Sequence, residues 1–170
     1  LAQAYEAAEN WKLSIKTYRR SLDVAETSAA RSHLDAVVAE HGFRIVDNAV
    51  DNNAANPRIC LNFSDALSTA LTSSENVGDY VRVENGETLP VSASGSQICV
   101  DGVKHGERYR IVARPGITSA DGETLTKSVE TIVYVRDRDP SVRFATNAYV
   151  LPAGGEATIP VTTINTDDIE

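Results

Sequence analysis

The spacing of the apolar side chains changes once along the chain, near residue 42. Before that point large apolar residues recur at helical intervals, most clearly as Trp11, Ile15, Tyr18 and Leu22. This spacing places the side chains on one face of a helix. After that point apolar and polar residues alternate, which is the pattern of half-buried strands. The sequence therefore predicts an N-terminal helical segment followed by a chain that is mainly β.

Three helices are predicted in the helical segment. The Glu9-Asn10 pair interrupts the apolar pattern and separates the first helix from the second. Either Thr27 or Ser28 can cap the third helix, because a hydroxyl oxygen accepts a hydrogen bond from a backbone N–H of the first turn. Gly42 is expected to end that helix in the left-handed conformation that glycine adopts easily.

Short strands separated by turn dipeptides are predicted after residue 42. The expected strands are 43–50, 58–63, 79–84, 88–93, 97–100, 108–114 and 128–135. Dipeptides such as Asn85-Gly86 and Asp121-Gly122 stand between them, as in an antiparallel Ig-like β-sandwich. The core candidates of this sandwich are Ile59, Leu61, Phe63, Val81, Val83, Ile98, Val100, Tyr109, Ile111, Ile132 and Tyr134.

Tyr109 has a further expected role. It follows Gly106-Glu107-Arg108 at the start of a predicted strand. This arrangement resembles a tyrosine corner, in which the phenolic hydroxyl forms a hydrogen bond with the backbone a few residues upstream. The prediction is that the hydroxyl of Tyr109 is held in this way.

Changes in composition divide the chain into three predicted parts. Residues 1–42 are the helical segment, and 43–136 are the sandwich, with an incoming strand at 43–50 and a linker at 51–57. The remainder, 137–170, is expected to be a linker and the first strands of a following, incomplete β-domain, at 142–144, 148–152 and 157–164. Leu1 falls in mid-pattern and the chain has no methionine, so a piece of a longer protein is expected.

Charge and hydropathy argue against several function classes. The 170 residues include 16 basic and 24 acidic side chains, which give a net charge of −8. Nucleic acids and anionic lipids are bound by clustered basic surfaces, and none is visible here. No apolar run approaches the roughly 18 residues of a membrane span. Neither nucleic-acid binding nor direct membrane contact is therefore expected.

Candidate catalytic or metal chemistry is sparse. His33, His41 and His105 lack metal-ligand spacing; His33 is expected to face solvent and His105 to lie in a turn. Asp137 and Asp139 could hold calcium, but the arginines between them favour a solvated, charged linker. No nucleophile–His–carboxylate set and no phosphate-binding glycine loop is visible. The sequence predicts no catalytic residue, metal site or cofactor, and the chain is not expected to be an enzyme.

The two cysteines, Cys60 and Cys99, each lie within a strand-like run. A disulfide between them would staple the sandwich. A reactive thiolate would need a nearby cation or a helix N-terminus, and Arg58 is the only local candidate, beside Cys60. Two buried free thiols are the alternative, since free cysteine is a common core residue.

The helical segment resembles a tetratricopeptide repeat. The matching positions are Leu1, Ala2, Tyr5, Trp11, Ser14, Tyr18 and Ser21. Serine stands at two positions where that family usually has alanine, and only one unit is visible. Such repeats bury their apolar faces against neighbouring repeats. A plain helical hairpin, packed on whatever precedes it, is the alternative.

An ordered set of short motifs resembles the N-terminal part of bacterial alpha-2-macroglobulins. In chain order they are His41-Gly42-Phe43-Arg44, Pro57-Arg58-Ile59-Cys60, Phe63-Ser64, Cys99-Val100-Asp101-Gly102, Lys104-His105-Gly106-Glu107-Arg108-Tyr109, Asp121-Gly122-Glu123-Thr124-Leu125, Tyr134-Val135-Arg136-Asp137-Arg138 and Ala148-Tyr149-Val150-Leu151-Pro152. The similarity spans about residues 41 to 168. The stretch 58–135 is also similar to the broader bacterial Ig-like domains.

The resemblance implies a very large protein, periplasmic or anchored in the cell envelope, whose serial sandwich domains entrap proteases. An oxidising compartment of this kind favours the Cys60–Cys99 disulfide. The Cys-x-Glu-Gln thioester motif of many members is absent here. The chain would therefore be a structural arm, with proteases as partners of the full-length protein and neighbouring macroglobulin domains as partners within it. The alternative function is an envelope scaffold or adhesion module that binds protein partners.

Overall fold

The computed structural model describes residues 1–74, 76–84, 88–144 and 160–166. Three helices come first: α1 (Ala2–Ala7), α2 (Trp11–Val24) and α3 (Ser28–His41). The Asn10 side chain accepts from the Leu13 N–H at 3.3 Å and caps α2. The Thr27 hydroxyl accepts from the Ala30 N–H at 3.3 Å and caps α3. Of the two predicted caps for α3, Thr27 is the one used.

The helices enclose a small core of their own. Its buried members are Ala2, Ile15, Tyr18, Leu34 and Val37. The predicted apolar stripe of α2 faces this core, because Trp11 and Leu22 pack against its edge. The rings of Trp11 and His41 stack with centroids 3.7 Å apart and planes 6° from parallel, which links the start of α2 to the end of α3.

Gly42 ends α3 in a way that the sequence analysis predicted incorrectly. Its φ of −70° and ψ of 176° are extended, not left-handed. The chain runs from this residue towards the first strand, β1 (Ile45–Val50), and a left-handed turn would redirect it. A Cβ at this position would collide with the Val38 carbonyl oxygen. Glycine is favoured here by that close approach and not by its φ.

Two antiparallel sheets form the sandwich. The four-stranded sheet has the order β1-β2-β5-β4, with β2 at Ile59–Phe63, β4 at Val91–Ser94 and β5 at Gln97–Val100. The three-stranded sheet has the order β3-β6-β7, with β3 at Val81–Val83, β6 at Arg108–Ala113 and β7 at Val129–Tyr134. The predicted fold class, mainly β with an N-terminal helical segment and an antiparallel Ig-like sandwich, is confirmed.

Smaller elements complete the described part of the chain. A short helix, α4 (Thr69–Thr72), and a 3₁₀ turn (Val77–Asp79) lie between β2 and β3, and neither was predicted. A separate two-stranded sheet pairs β8 (Ser141–Phe144) with β9 (Val161–Ile164). These strands overlap the predictions at 142–144 and 157–164. The strand predicted at 148–152 and the Asn85-Gly86 turn lie outside the described residues.

The main core lies between the two sheets. The core candidates that are buried as predicted are Ile59, Leu61, Phe63, Val81, Ile98, Val100, Tyr109 and Ile111, and Val83 is half-buried against them. Side chains from α4, the 3₁₀ turn and the loops extend this core. They include Leu67, Leu71, Val77, Ile117 and Leu125.

The predicted burial of Ile132 and Tyr134 is wrong. Their exposed fractions are 67% and 47%, whereas Val133 between them is only 4% exposed. Residues two apart in a strand share a face, so alternate residues of β7 are buried together or exposed together. Glu130 shares the face of Ile132 and Tyr134, and its carboxylate accepts from Arg110 Nε at 2.6 Å. Burying this charged pair would cost more than burying the larger apolar side chains would gain, so this face turns outward.

The tyrosine corner is confirmed. Tyr109 is 2% exposed. Its hydroxyl accepts from the Lys104 N–H at 2.8 Å and donates to the Glu107 carboxylate at 2.7 Å. The loop before β6 is thus held to the strand that follows it.

We expect Tyr109→Phe to lower the free energy of unfolding by about 1–3 kcal/mol, because the ring still fills the core while the Lys104 N–H loses the hydroxyl acceptor. Urea unfolding of the two proteins measures the difference. Tyr134→Phe is the matched control; its ring is 47% exposed, and a change within about 0.5 kcal/mol is expected. Equal losses in the two variants would contradict the corner's role.

Candidate functional site

The two predicted site residues meet in the middle of the four-stranded sheet. Cys60 on β2 and Cys99 on β5 stand directly opposite each other, with Cα atoms 4.0 Å apart and their sulfurs joined in a disulfide. Both side chains are buried. The bond joins neighbouring strands of one sheet and does not link the two sheets. It fixes the pairing of β2 with β5 and leaves neither sulfur as a free thiol.

A second feature is the contact between α2 and the loops of the sandwich. Lys12 forms ion pairs with Asp65 and with Asp121, the latter at 3.0 Å. Two turns further along the helix, the Arg19 guanidinium donates two N–H bonds to Glu123, one of them 2.8 Å long. Two-bond pairing of this kind fixes geometry as well as charge. Two cations of one helix thus hold three carboxylates of the sandwich.

A cleft of about 670 Å³ lies beside these ion pairs, between α2 and the sandwich. Its lining includes Ile15, which belongs to the helical core, and Phe43, which belongs to the sandwich core. The two cores form separate clusters among the residues that the structure describes. Charge therefore holds the helical segment against the sandwich more than shared apolar packing does.

Lys12 and Asp65 stabilise each other's charged forms. The hydrogen bond to Asp65, followed by the one to Asp121, raises the pKa of Lys12. Burial acts to raise the pKa of Asp65, but the hydrogen bonds from Lys12 and Ser64 and the positive charges of Lys12 and Arg44 outweigh it. The pKa of the Asp65 carboxyl is therefore lowered.

We expect the attachment of the helical segment to weaken in acid. Because folding lowers the pKa of Asp65, its contribution is fully present above the ordinary aspartate pKa and is lost as the pH falls through the lowered value. Trp11, the single tryptophan of the chain, precedes Lys12 and reports on this contact by its fluorescence. Its emission should change as the pH falls below the ordinary aspartate range, near pH 4, and through the lowered pKa of Asp65.

The variant Asp65→Asn tests the cause of this acid transition. It should shift the Trp11 emission towards its low-pH value already at neutral pH. Asp51→Asn, which changes an exposed carboxylate away from α2, is the control and should keep the wild-type profile. An unchanged acid transition in Asp65→Asn would show that another group controls the contact.

The chain leaves the sandwich through a hydrogen-bonded linker. The Asn52 side-chain oxygen accepts from the Arg136 N–H at 2.8 Å. The Asn53 side chain accepts from the Asp139 N–H at 2.9 Å and donates to the Asp139 carboxylate at 2.8 Å. Nδ1 of His105 lies 2.9 Å from the Arg136 carbonyl oxygen. We call Asn52, Asn53 and His105 the linker clamp.

Neither the linker clamp nor the ion pairs of α2 were predicted from the sequence. The linker is largely exposed, as the prediction of a solvated segment implies, but its path is fixed. Two adjacent asparagines in a turn were the available signal, because a short amide side chain offers a donor and an acceptor at once. The ion pairs of α2 were indicated only by several basic residues on one helix in a chain that is acidic overall.

The histidines and the acidic side chains are the remaining candidates for a metal site. His33 is exposed on α3 and His105 lies in a turn, as predicted. Over the described residues, no group of three or more His, Cys, Asp or Glu side chains is placed to hold a metal ion. In that same part of the chain, no helix has the length and apolar character needed to cross a membrane.

Comparison with known proteins gives three informative matches. The alpha-2-macroglobulin of Xylella fastidiosa (strain Temecula1) is 25% identical over 134 residues, covering 76% of this chain and 8% of that protein. The native alpha-2-macroglobulin of Escherichia coli, in a crystal structure spanning domains MG0-NIE-MG1, matches with a TM-score of 0.55 and 18% identity over 75% of this chain and 43% of that one. Salmonella alpha-2-macroglobulin reacted with methylamine gives a TM-score of 0.54 and 20% identity over 76% of this chain and 9% of that one.

The sequence match and the fold matches point to the same proteins. The chain is similar to the bacterial alpha-2-macroglobulins in sequence and in fold. No family model matches it. The chain spans 8% of the length of the curated Xylella protein that it matches. The solved structures, at 18–20% identity, show its fold.

Proposed function

We propose that the chain is a structural arm of a large protein that entraps proteases, located in the bacterial periplasm or anchored in the cell envelope. The observation that carries this proposal is the agreement between the sequence match and the fold matches, all to bacterial alpha-2-macroglobulins. Proteases would be bound by the full-length protein, and neighbouring macroglobulin domains would contact this chain within it. No catalytic step is assigned to the chain.

An architectural role fits the chemistry of the cysteines. A thioester of the Cys-x-Glu-Gln type needs a free cysteine followed by that sequence, but Cys60 precedes Leu-Asn-Phe and Cys99 precedes Val-Asp-Gly. Both sulfurs are also held in the disulfide. The ion pairs of α2 and the linker clamp supply what an arm requires, namely fixed directions for the chain on both sides of the sandwich.

The proposed arm has three parts: the tetratricopeptide-like segment 1–42, the sandwich 43–136 and the start of a following β-domain at 137–170. The separate helical core supports the first division. The separate sheet of β8 and β9 supports the second.

The test uses an antibody raised against this chain to isolate the full-length protein that contains it. That protein should have a mass several times that of this 18.3 kDa chain. Incubated with trypsin, it should block cleavage of a large protein substrate while a small peptide substrate is still cleaved, because a cage excludes only large molecules. The isolated chain is the control and should inhibit neither reaction. Strong stoichiometric inhibition by the isolated chain would overturn the proposal.

The second candidate is an envelope scaffold or adhesion module that binds protein partners. The outward face of β7 favours it, because Ile132 and Tyr134 are exposed there and Arg108 lies 5.6 Å over the Tyr134 ring. Aromatic and arginine side chains are enriched at protein interfaces. A full-length protein that leaves trypsin unaffected would support this candidate over the first.

A further inference from the structure

We propose that the cleft between α2 and the sandwich binds a short acidic peptide segment that also carries an aliphatic side chain. The cleft measures about 670 Å³, which is within the usual range for ligand pockets. It lies between two units with separate cores, a common location for such pockets. This inference does not depend on the protease-trapping role.

The apolar part of the lining would bind the aliphatic side chain of the peptide. Leu13, Ile15 and Phe43 all line the cleft. Leu13 is 40% exposed although its neighbour Ile15 is buried in the helical core. An aliphatic side chain placed against Leu13 would be removed from water, and that burial is favourable in proportion to the area covered.

The charged part of the lining would bind the carboxylates of the peptide. Lys12 and Arg19 are already paired with carboxylates of the sandwich. Lys16 and Arg20, one helical turn apart, also line the cleft, and neither has an ion-pair partner within the described part of the chain. Both side chains are exposed on the same wall of the cleft. They are placed to receive carboxylates of a ligand.

The remaining charges decide what kind of anion fits. The lining also contains Asp23 and the carboxylates of the sandwich wall, so its total formal charge is balanced. A polyanion would be repelled by these acids. The three carboxylates of the sandwich wall are already paired with Lys12 and Arg19. Lys16 and Arg20 are therefore the cations left for one or two carboxylates of a peptide. The lining therefore favours a moderately acidic peptide over nucleic acid or inorganic phosphate.

The experiment titrates the capped peptide acetyl-Ala-Glu-Leu-Glu-Ala-amide into the isotope-labelled 170-residue chain and follows backbone amide shifts by NMR. Shifts should occur at residues that line the cleft, including Leu13, Lys16 and Phe43. The same peptide with glutamine in place of both glutamates should bind at least about ten-fold more weakly, since each charged hydrogen bond is lost. Inorganic phosphate should cause smaller shifts than the acidic peptide at equal concentration.

Matched variants test the role of the two cations. Lys16→Gln with Arg20→Gln should weaken peptide binding at least about ten-fold. Arg114→Gln with Lys127→Gln removes the same charge from exposed positions outside the cleft and should leave binding unchanged. Absence of shifts at the cleft, equal weakening in both double variants, or phosphate binding as strong as that of the peptide would each overturn the proposal.

Discussion

Reduction of the Cys60–Cys99 disulfide is expected to lower the melting temperature of the chain by roughly 10–20 °C. The bond closes a loop with a sequence separation of 39 residues. On the chain-entropy model a loop of this size restricts the unfolded chain by about 4 kcal/mol. That is a large share of the ~5–15 kcal/mol that stabilises a typical domain. Differential scanning calorimetry with and without a reductant measures the shift.

The double variant Cys60→Ser with Cys99→Ser separates the bond from other effects of the reductant. It should fold to the same sheets, with a melting temperature near that of the reduced wild type, and the reductant should not lower it further. Far-UV circular dichroism checks the fold. If two thiols titrate in the denatured, unreduced wild-type protein, or if reduction leaves the melting temperature unchanged, the bond has no such role.

The second large effect is expected at Ile111 on β6, where Ile111→Ala should cost about 2–5 kcal/mol. This side chain is 1% exposed and lies in the core between the sheets. Truncating it removes buried apolar area and leaves a cavity that the surrounding strands fill only in part. Denaturant unfolding of the purified variant gives the difference in free energy.

Ile132→Ala is the matched control, since it makes the same chemical change on the neighbouring strand of the same sheet. Ile132 is 67% exposed, so its truncation should cost less than about 1 kcal/mol. The comparison also tests the face of β7 that turns outward. A loss at Ile132 as large as that at Ile111 would mean that β7 is shifted by one residue relative to β6.

Period-two alternation and turn dipeptides were sufficient to predict the strands of the sandwich. Both are local signals, and both are strong here because one side of each sheet is buried. Tyr109 was predictable for a related reason, since its corner joins residues only five apart in sequence. The placement of Cys60 and Cys99 within strands was local as well. Their direct pairing across one sheet depends on β2 and β5 being neighbours, and the order of strands in a sheet is not a local signal.

The wrong prediction for β7 and the unpredicted ion pairs of α2 have the same cause. In both cases the local sequence pattern is compatible with more than one structure. Alternation in β7 did not say which face is buried, and the larger side chains of Ile132 and Tyr134 suggested the wrong one. Glu130 carried the correcting signal, because it lies on the same face. The ion pairs of Lys12 and Arg19 join residues that are 53 to 109 positions apart, and no single stretch of sequence contains both partners.

The position of the disulfide also determines how the sandwich would respond to mechanical tension. A pull on the two ends of the chain reaches β1 and β7, which are edge strands of different sheets. Such strands can be peeled away without breaking a covalent bond. The cysteines then stop the extension, because the 39-residue separation between them withholds roughly 130 Å of contour length at about 3.4 Å per residue. The disulfide-linked pair of β2 and β5 would therefore limit how far the sandwich can be stretched.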